Sequence, residues 1–162
     1  MVINVNAQCE GLTGILKGES SLEIKQQGID SMLRTMVTNE NQELADCFHD
    51  IGNQWFYRNW KQSESPSDLE KAIRYTQKAI TIKSGLPTVD TTSLKQSLFN
   101  LSHFQRMNGS YFDALSSYEH ILTLGGKHGF TNLAQKAIGR VYIQVGDFRK
   151  AIDVFEEIIE AN

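Results

Sequence analysis

Four histidines are the side chains in this sequence best suited to proton transfer near neutral pH, and they are His49, His103, His120 and His128. An enzyme that works through a covalent intermediate would also need a nucleophile beside such a base, but no serine or cysteine stands in a recognisable motif with any of the four. Gly125-Gly126 lacks both the lysine-serine pair and the preceding strand of a phosphate-binding loop. We therefore predict that the chain is not an enzyme.

One group of acidic residues could in principle bind a metal ion. Glu43, Asp46 and Asp50 are spaced three or four residues apart, and His49 follows Asp46 by three, so a helix would place them at neighbouring positions on its surface. A solvated acidic helix face is the simpler interpretation of this spacing. We predict neither a metal nor a cofactor.

The chain contains two cysteines, Cys9 and Cys47. Two cysteines do not make a disulfide framework, and no CxxC or Cys/His spacing indicates zinc. The simplest interpretation is a pair of reduced, buried thiols in a cytosolic protein.

Length and composition are those of one ordinary globular domain. The 162 residues are 40% hydrophobic and 22% charged, with a formal net charge of −3, which argues against extensive disorder. The sixteen Lys and Arg residues are scattered, which argues against binding to nucleic acid. No apolar run approaches the ~18 residues of a membrane span, and the N-terminus lacks the features of a secretory signal. We expect a cytoplasmic protein with no membrane insertion.

Three segments carry the same pattern of apolar side chains. Each has them at offsets 0, 1, 4, 7 and 8, which form one stripe along a 3.6-residue helix, with Thr76 as the one polar member. The three sets are Ala72, Ile73, Thr76, Ala79 and Ile80; Ala114, Leu115, Tyr118, Ile121 and Leu122; and Ala151, Ile152, Phe155, Ile158 and Ile159. Because a repeat of this length cannot bury its stripe alone, the copies must stack, and the sequence predicts an all-α array.

The stripes and the turn signals between them predict eight helices in four antiparallel hairpins. The expected helices span residues 3–17, 20–38, 42–60, 68–84, 92–108, 111–124, 130–145 and 148–161. Residues 1–40 are expected to form a degenerate hairpin or an N-terminal cap, and residues 41–162 three repeats at about 44–84, 92–124 and 130–161.

Particular residues are expected to begin, end and connect these helices. Ser67 or Asp68 should cap the fourth helix, and Gly85 should end it. The three glycines of Gly125-Gly126-Lys127-His128-Gly129 should form a turn.

A second set of spacings accompanies the stripes. The third repeat has Ile138, Gly139, Tyr142, Ala151 and Phe155, with Gly146-Asp147-Phe148 between its two helices. The second has Leu98, Leu101, Ser102, Gln105, Gly109, Tyr111, Ala114 and Tyr118, and the first has Phe48, Ile51, Gly52, Trp55, Ala72 and Thr76. Over about residues 44–162 this pattern resembles the tetratricopeptide repeat (TPR) family, although Gln135 replaces the family's tryptophan. The resemblance implies a right-handed α-α superhelix.

Small residues recur where the two helices of each repeat should cross. They are Gly52, Ser102, Gly139, Ala72, Ala114 and Ala151. Small side chains let paired helices approach closely, and aromatic side chains fill the remaining gaps.

The first repeat departs from the family's spacing by about eight extra residues around Trp60 to Asp68. We expect them to form either a longer helix or a protruding loop. Elongated repeats of this kind are similar to those of the LGN/Pins group and of kinesin light chain, which bind extended peptides.

The resemblance also implies a concave groove lined by the first helix of each repeat. Asn53 and Asn100 could bond both the N–H and C=O groups of an extended peptide, and aromatic side chains could hold its side chains. The candidate groove residues are His49, Asn53, Phe56, Tyr57, Phe99, Asn100, His103, Arg106, Lys136 and Arg140.

A carboxylate clamp of the kind found in chaperone-binding family members would be incomplete here. His49, Asn53 and Asn100 stand at matching places, but Leu133 and Ala137 occupy the positions of the last two basic residues.

The resemblance thus implies a noncatalytic module that binds a protein or peptide partner. Two alternatives are a regulatory array within a larger multidomain enzyme, for example before a CHAT-type protease, and a TPR-type secretion chaperone. Sequence continuing past Asn162 in the parent reading frame would favour the first, and a secreted substrate encoded next door the second. The apolar residues near the C-terminal end, which include Phe155, Ile158 and Ile159, also predict self-association or a continuing chain.

Overall fold

The computed structural model describes residues 5–35, 40–126 and 129–161. Within those ranges all regular secondary structure is helical, as the apolar stripes predicted. The end of the predicted helix 20–38 and two residues of the predicted turn, Lys127 and His128, lie outside the described residues.

Contacts divide the chain into two compact units, Met1–Asp90 and Thr91–Asn162, whereas the length had suggested one domain. In the described part of the first unit there are five α-helices and one π-helical segment. They are α1 (Val5–Lys17), α2 (Leu22–Thr35), α3 (Gln42–Gln54), the π segment (Trp55–Trp60), α4 (Lys61–Ser63) and α5 (Pro66–Gly85). The most extensive packing is between α3 and α5, and α1 packs on both α2 and α3.

The second unit contains four helices of similar length. They are α6 (Thr91–Met107), α7 (Tyr111–Thr123), α8 (Phe130–Gln144) and α9 (Phe148–Glu160). Each helix packs against the next one along the chain, and α6 also contacts α8. The tight turns before α7 and α9 use Gly109 and Gly146, whose φ angles of 77° and 81° lie in the left-handed region that favours glycine.

The small residues stand at close helix crossings, as predicted. A Cβ atom on Gly52 would overlap Thr76 Oγ1 and lie 3.0 Å from the carbonyl oxygen of Ala72 on α5. A Cβ atom on Gly139 would lie 2.6 Å from the ring of Phe155 on α9. The alanines of the three stripes, Ala72, Ala114 and Ala151, are all buried. The sequence therefore identified the residues that set the distance between paired helices.

The extra residues of the first repeat extend a helix rather than forming a protruding loop. After α3 the backbone continues as the π segment and then as α4, which ends at Ser63 and is followed by Glu64 with φ 51°. Helix α5 begins at Pro66, so the prediction of a cap at Ser67 or Asp68 was wrong. Proline suits the first turn of a helix because its missing N–H has no intrahelical acceptor there. Asp68 is instead buried and accepts a hydrogen bond from Ser63 Oγ at 3.0 Å.

The two cysteines are joined, which corrects the expectation of reduced thiols. Cys9 on α1 and Cys47 on α3 form a disulfide whose Cα atoms are 5.4 Å apart, within the usual range. Cys47 is buried where α3 packs against α1. The spacing of the two cysteines along the chain does not predict this disulfide, because the packing of α1 on α3 brings the two residues together.

Candidate functional site

The candidate groove residues of the second unit lie on two helices that contact each other. Phe99, Asn100, His103 and Arg106 are half-buried on α6, and Lys136 and Arg140 are exposed on α8. The α6 residues recur every three or four positions, so they share one face of the helix. Together with Lys95 and Gln144 they form what we call the α6–α8 surface.

Arg106 joins the two helices of this surface at one end. Its Nη1 donates a hydrogen bond to Gln144 Oε1 of α8 at 3.3 Å, and its Nη2 lies 3.2 Å from His103 Nδ1. The guanidinium also lies close enough to Tyr118 of α7 to act on the ionisation of its hydroxyl group. Burial raises the pKa of the Tyr118 hydroxyl, while the positive charges of Arg106 and Arg140 oppose that rise. These contacts hold a cationic guanidinium at a defined place on the surface.

Lys95 joins α6 to the start of α8 at the other end. Its ammonium group donates to the carbonyl oxygen of Gly125 and lies 3.3 Å from Thr131 Oγ1. Sequence reasoning did not select Lys95, because its acceptors are a loop carbonyl and a hydroxyl about thirty residues away along the chain.

An aromatic cluster underlies the middle of the α6–α8 surface. The ring of Phe99 lies 5.7 Å from that of Tyr118 and 5.8 Å from that of Phe130, which is the first residue of α8. Ring pairs at these separations favour a fixed relative orientation. Phe99 is therefore held by α7 and α8 while part of its side chain stays accessible.

The α6–α8 surface carries positive charge without compensating carboxylates on its helices. Helix α6 contains Lys95 and Arg106, and α8 contains Lys136 and Arg140, but neither helix contains an Asp or a Glu. Acidic side chains occur instead on α7 and α9, the second helices of the two hairpins. This separation leaves a cationic face on a chain whose formal net charge is −3.

Two of the candidate groove residues of the first unit are buried, and their assignment to an accessible groove is corrected here. Phe56 has no exposed surface, because the π segment stacks its ring on Trp60 at 4.9 Å and sets Tyr57 edge-on to it at 4.9 Å. His49 is 6% exposed, and burial together with the Lys83 charge lowers its pKa to about 4. Tyr57 is 50% exposed and Asn53 is half-buried, so these two remain accessible.

The acidic group on α3 is organised by a cation from α5. Asp46 forms an ion pair with Lys83 at 2.8 Å, and the Lys83 side chain is only 2% exposed. Burial and the neighbouring charge of Asp46 raise the pKa of Asp50. Among the residues that the structure describes, no group of three or more potential ligands is placed to bind a metal ion. Lys83 was not selected from the sequence, because its pairing depends on the packing of α5 against α3.

The positions expected for the last two basic residues of a carboxylate clamp are apolar. Leu133 is 47% exposed and Ala137 is half-buried on α8, and the exposed cations are their neighbours Lys136 and Arg140. Within the described ranges, no helix is both long and apolar enough to span a membrane.

Comparisons with known proteins show the fold. No protein-family model matches the chain, and no curated protein matches it in sequence. Two solved structures of a kinesin light chain candidate from Podosopora anserina, with nearly identical TPR-like repeats, are similar in structure. The single-residue variant has a TM-score of 0.66 and the other form 0.64; each is 13% identical, and the match covers 97% of this chain and 74% of that one. The chain thus has a TPR-like helical repeat fold.

Proposed function

We propose that this chain is a noncatalytic protein-interaction module that binds an extended, acidic segment of a partner protein. The observation that supports the proposal most directly is the α6–α8 surface, where two contacting helices supply four cations and no carboxylate. A TPR-like fold is generally a protein-interaction module, so fold and surface agree.

The chemistry of the surface favours carboxylates on the partner. Lys136 and Arg140 are exposed and stand one helical turn apart, so a single extended segment could contact both. Arg106 is already oriented by Gln144 and His103, and an oriented guanidinium loses less freedom when it binds a carboxylate. Complementary charge of this kind speeds association and selects partners more than it adds affinity.

Other candidate residues would contact the backbone and apolar side chains of such a segment. The amide of Asn100 can both donate to and accept from a peptide group, and the accessible part of Phe99 offers an apolar contact. In the first unit, Asn53 and Tyr57 are the accessible candidates for the same roles.

A peptide-binding measurement with matched charge reversals tests the proposal. Fluorescent twelve-residue peptides rich in Glu and Asp, with one aromatic residue, are compared with the same peptides carrying Gln and Asn. We expect the parent protein to prefer the acidic set. Lys136→Glu combined with Arg140→Glu should weaken that binding about tenfold, since two favourable contacts become repulsive.

The control variant carries Arg74→Glu and Lys78→Glu, an exposed pair of cations with the same spacing on α5. It changes the net charge by the same amount and should leave peptide binding nearly unchanged. Equal binding of the acidic and amide peptides, or equal losses in the two double variants, would contradict the assignment of the α6–α8 surface.

The sequence predicts a cytoplasmic location, whereas the Cys9–Cys47 disulfide favours an oxidising compartment. Cytosolic thiols are kept reduced, and stable disulfides are typical of oxidising compartments. Trapping free thiols at the moment of cell lysis distinguishes the two locations, because a cytosolic protein should yield both cysteines in reduced form.

A further inference from the structure

Helix α9 presents an apolar stripe to solvent. Phe148, Ile152 and Ile159 are 63%, 56% and 73% exposed, and Phe155 between them is half-buried. The four residues are separated by four, three and four positions, which is the spacing of the contact positions in a coiled coil. Side chains with this spacing form one continuous seam along the helix.

The preceding repeat shows that equivalent residues are covered when a helix packs on them. Leu115 and Tyr118 of α7 stand 37 residues before Ile152 and Phe155, and both are buried. Helix α7 packs between α6 and α8, so both of its sides are occupied. The stripe on α9 therefore has the composition of a helix interface, yet three of its four residues remain exposed, and only Phe155 packs partly on α8 at Gly139.

Charged residues beside the stripe indicate what kind of helix could cover it. Arg149 lies in the first turn of α9 and Glu156 two turns later, both exposed and on the same flank of the stripe. The flank is thus basic near the start of the helix and acidic toward its end. Such a pattern is complementary to itself only when the second helix runs in the opposite direction.

We propose that α9 pairs with α9 of a second copy of this chain in an antiparallel arrangement about a two-fold axis. In that arrangement Ile152 of one copy lies against Phe155 of the other, and Phe148 lies against Ile159. Arg149 of each copy then faces Glu156 of the other, so two equivalent ion pairs flank the seam. A parallel pairing would instead place the charged flanks of the two copies on opposite sides of the seam, where Arg149 could not reach Glu156.

Sedimentation equilibrium over a wide range of protein concentrations tests the pairing. The parent should form a dimer, and Ile159→Glu should abolish it, because a charge would be placed in the seam. Ile159 is exposed, so the variant should keep the helical circular dichroism of the parent. A parent that stays monomeric at all concentrations, or an Ile159→Glu variant that still forms the dimer, would overturn the proposal.

Charge exchange tests the antiparallel direction. Arg149→Glu alone and Glu156→Arg alone should each raise the dimer dissociation constant about tenfold, since each converts two attractive pairs into repulsive ones. The double variant should return to the value of the parent. Glu157→Arg is the matched control, because Glu157 is exposed on the side of α9 away from the stripe and should have no effect.

The charge exchange distinguishes this antiparallel pairing from the binding of a different partner to the apolar stripe of α9. If the double variant fails to restore the dimer, or if Glu157→Arg weakens it as much as Glu156→Arg does, the antiparallel pairing is wrong. The test is independent of peptide binding, because no residue of the α6–α8 surface is changed.

Discussion

At the residue scale, burial changes what His49 can do. The sequence presented it as a possible base or groove residue, but α3 places its imidazole in the interior of the first unit, near Lys83 and Asp46. Desolvation and the positive charge of Lys83 both disfavour protonation, so its pKa falls to about 4. A side chain with a pKa this far below 7 is poorly suited to proton transfer at neutral pH.

We predict that His49 makes the folded state less stable in acid. Because the folded-state pKa of about 4 lies below the ordinary histidine pKa of 6.5, the unfolded chain binds the extra proton first as the pH falls. The free energy of unfolding should decrease from pH 6.5 to 4, by up to about 3 kcal/mol from this residue. Urea unfolding at several pH values measures the slope.

Two histidine-to-glutamine variants isolate the contribution of His49 to the pH dependence of unfolding. His49→Gln should flatten the pH dependence, whereas His120→Gln, at an exposed position on α7, should leave it unchanged. The raised pKa of Asp50 acts in the opposite direction at the acid end, and it is common to all three proteins. A slope that is the same in His49→Gln and in the parent would contradict the prediction.

Two glycine-to-alanine substitutions distinguish the destabilising effect of steric overlap from the stabilising effect of higher helix propensity. At Gly52 the added methyl group would meet Thr76 and the backbone of Ala72, so we expect a loss of about 1–3 kcal/mol in the free energy of unfolding. At Gly14, which is exposed on α1 with no atom within 4 Å of the added carbon, we expect a gain of about 0.5–1 kcal/mol. Thermal unfolding measures both, and a stabilised Gly52→Ala protein would show that α3 and α5 do not cross closely.

At the element scale, the first unit combines a prolonged helix, an additional helix packed on α3 and a disulfide. The extra residues near Trp60 prolong the helix of the first repeat through the π segment and α4, while α1 packs on α3 and α2 packs on α1. The disulfide ties α1 to α3 across a sequence separation of 38 residues. Closing a loop of this length reduces the conformational freedom of the unfolded chain.

We therefore predict that Cys9→Ser destabilises the oxidised protein by about 2–4 kcal/mol. Cys9 is the better position to change because it is half-buried, whereas Cys47 is fully buried. Urea unfolding with and without a reductant measures the effect. In the presence of the reductant the parent and the variant should unfold alike, and a parent that is insensitive to reduction would contradict the disulfide's role.

At the scale of the whole molecule, charge is sorted by helix in the second unit. Helices α6 and α8 carry cations and no carboxylate, α7 carries carboxylates and no Lys or Arg, and α9 carries both signs. The formal net charge of −3 does not reveal this arrangement, because it is the sum of the charges on all helices. The two proposed interactions use different parts of the pattern: the cationic α6–α8 surface for an acidic segment, and the mixed flank of α9 for a second copy.

The sequence by itself determined the helical repeat fold and the residues at the helix crossings. The period of the apolar residues indicates which face of a helix is buried, and small residues indicate where two helices cross closely. Both signals come from residues that are near one another along the chain. Helix spans were predicted well for the second unit, where the repeats are regular. For the candidate surface, the sequence selected Phe99, His103, Arg106, Lys136 and Arg140, which lie on the contacting helices α6 and α8.

Tertiary structure alone decided the features that depend on residues distant along the chain. The packing of α1 on α3 brings Cys9 to Cys47, and the packing of α5 on α3 brings Lys83 to Asp46. The same helices bury His49, and the π segment buries Phe56, which a periodic pattern cannot foresee because it assumes an uninterrupted α-helix. Burial and pairing of polar groups are set by whichever element packs against them, and that information is not local to the sequence.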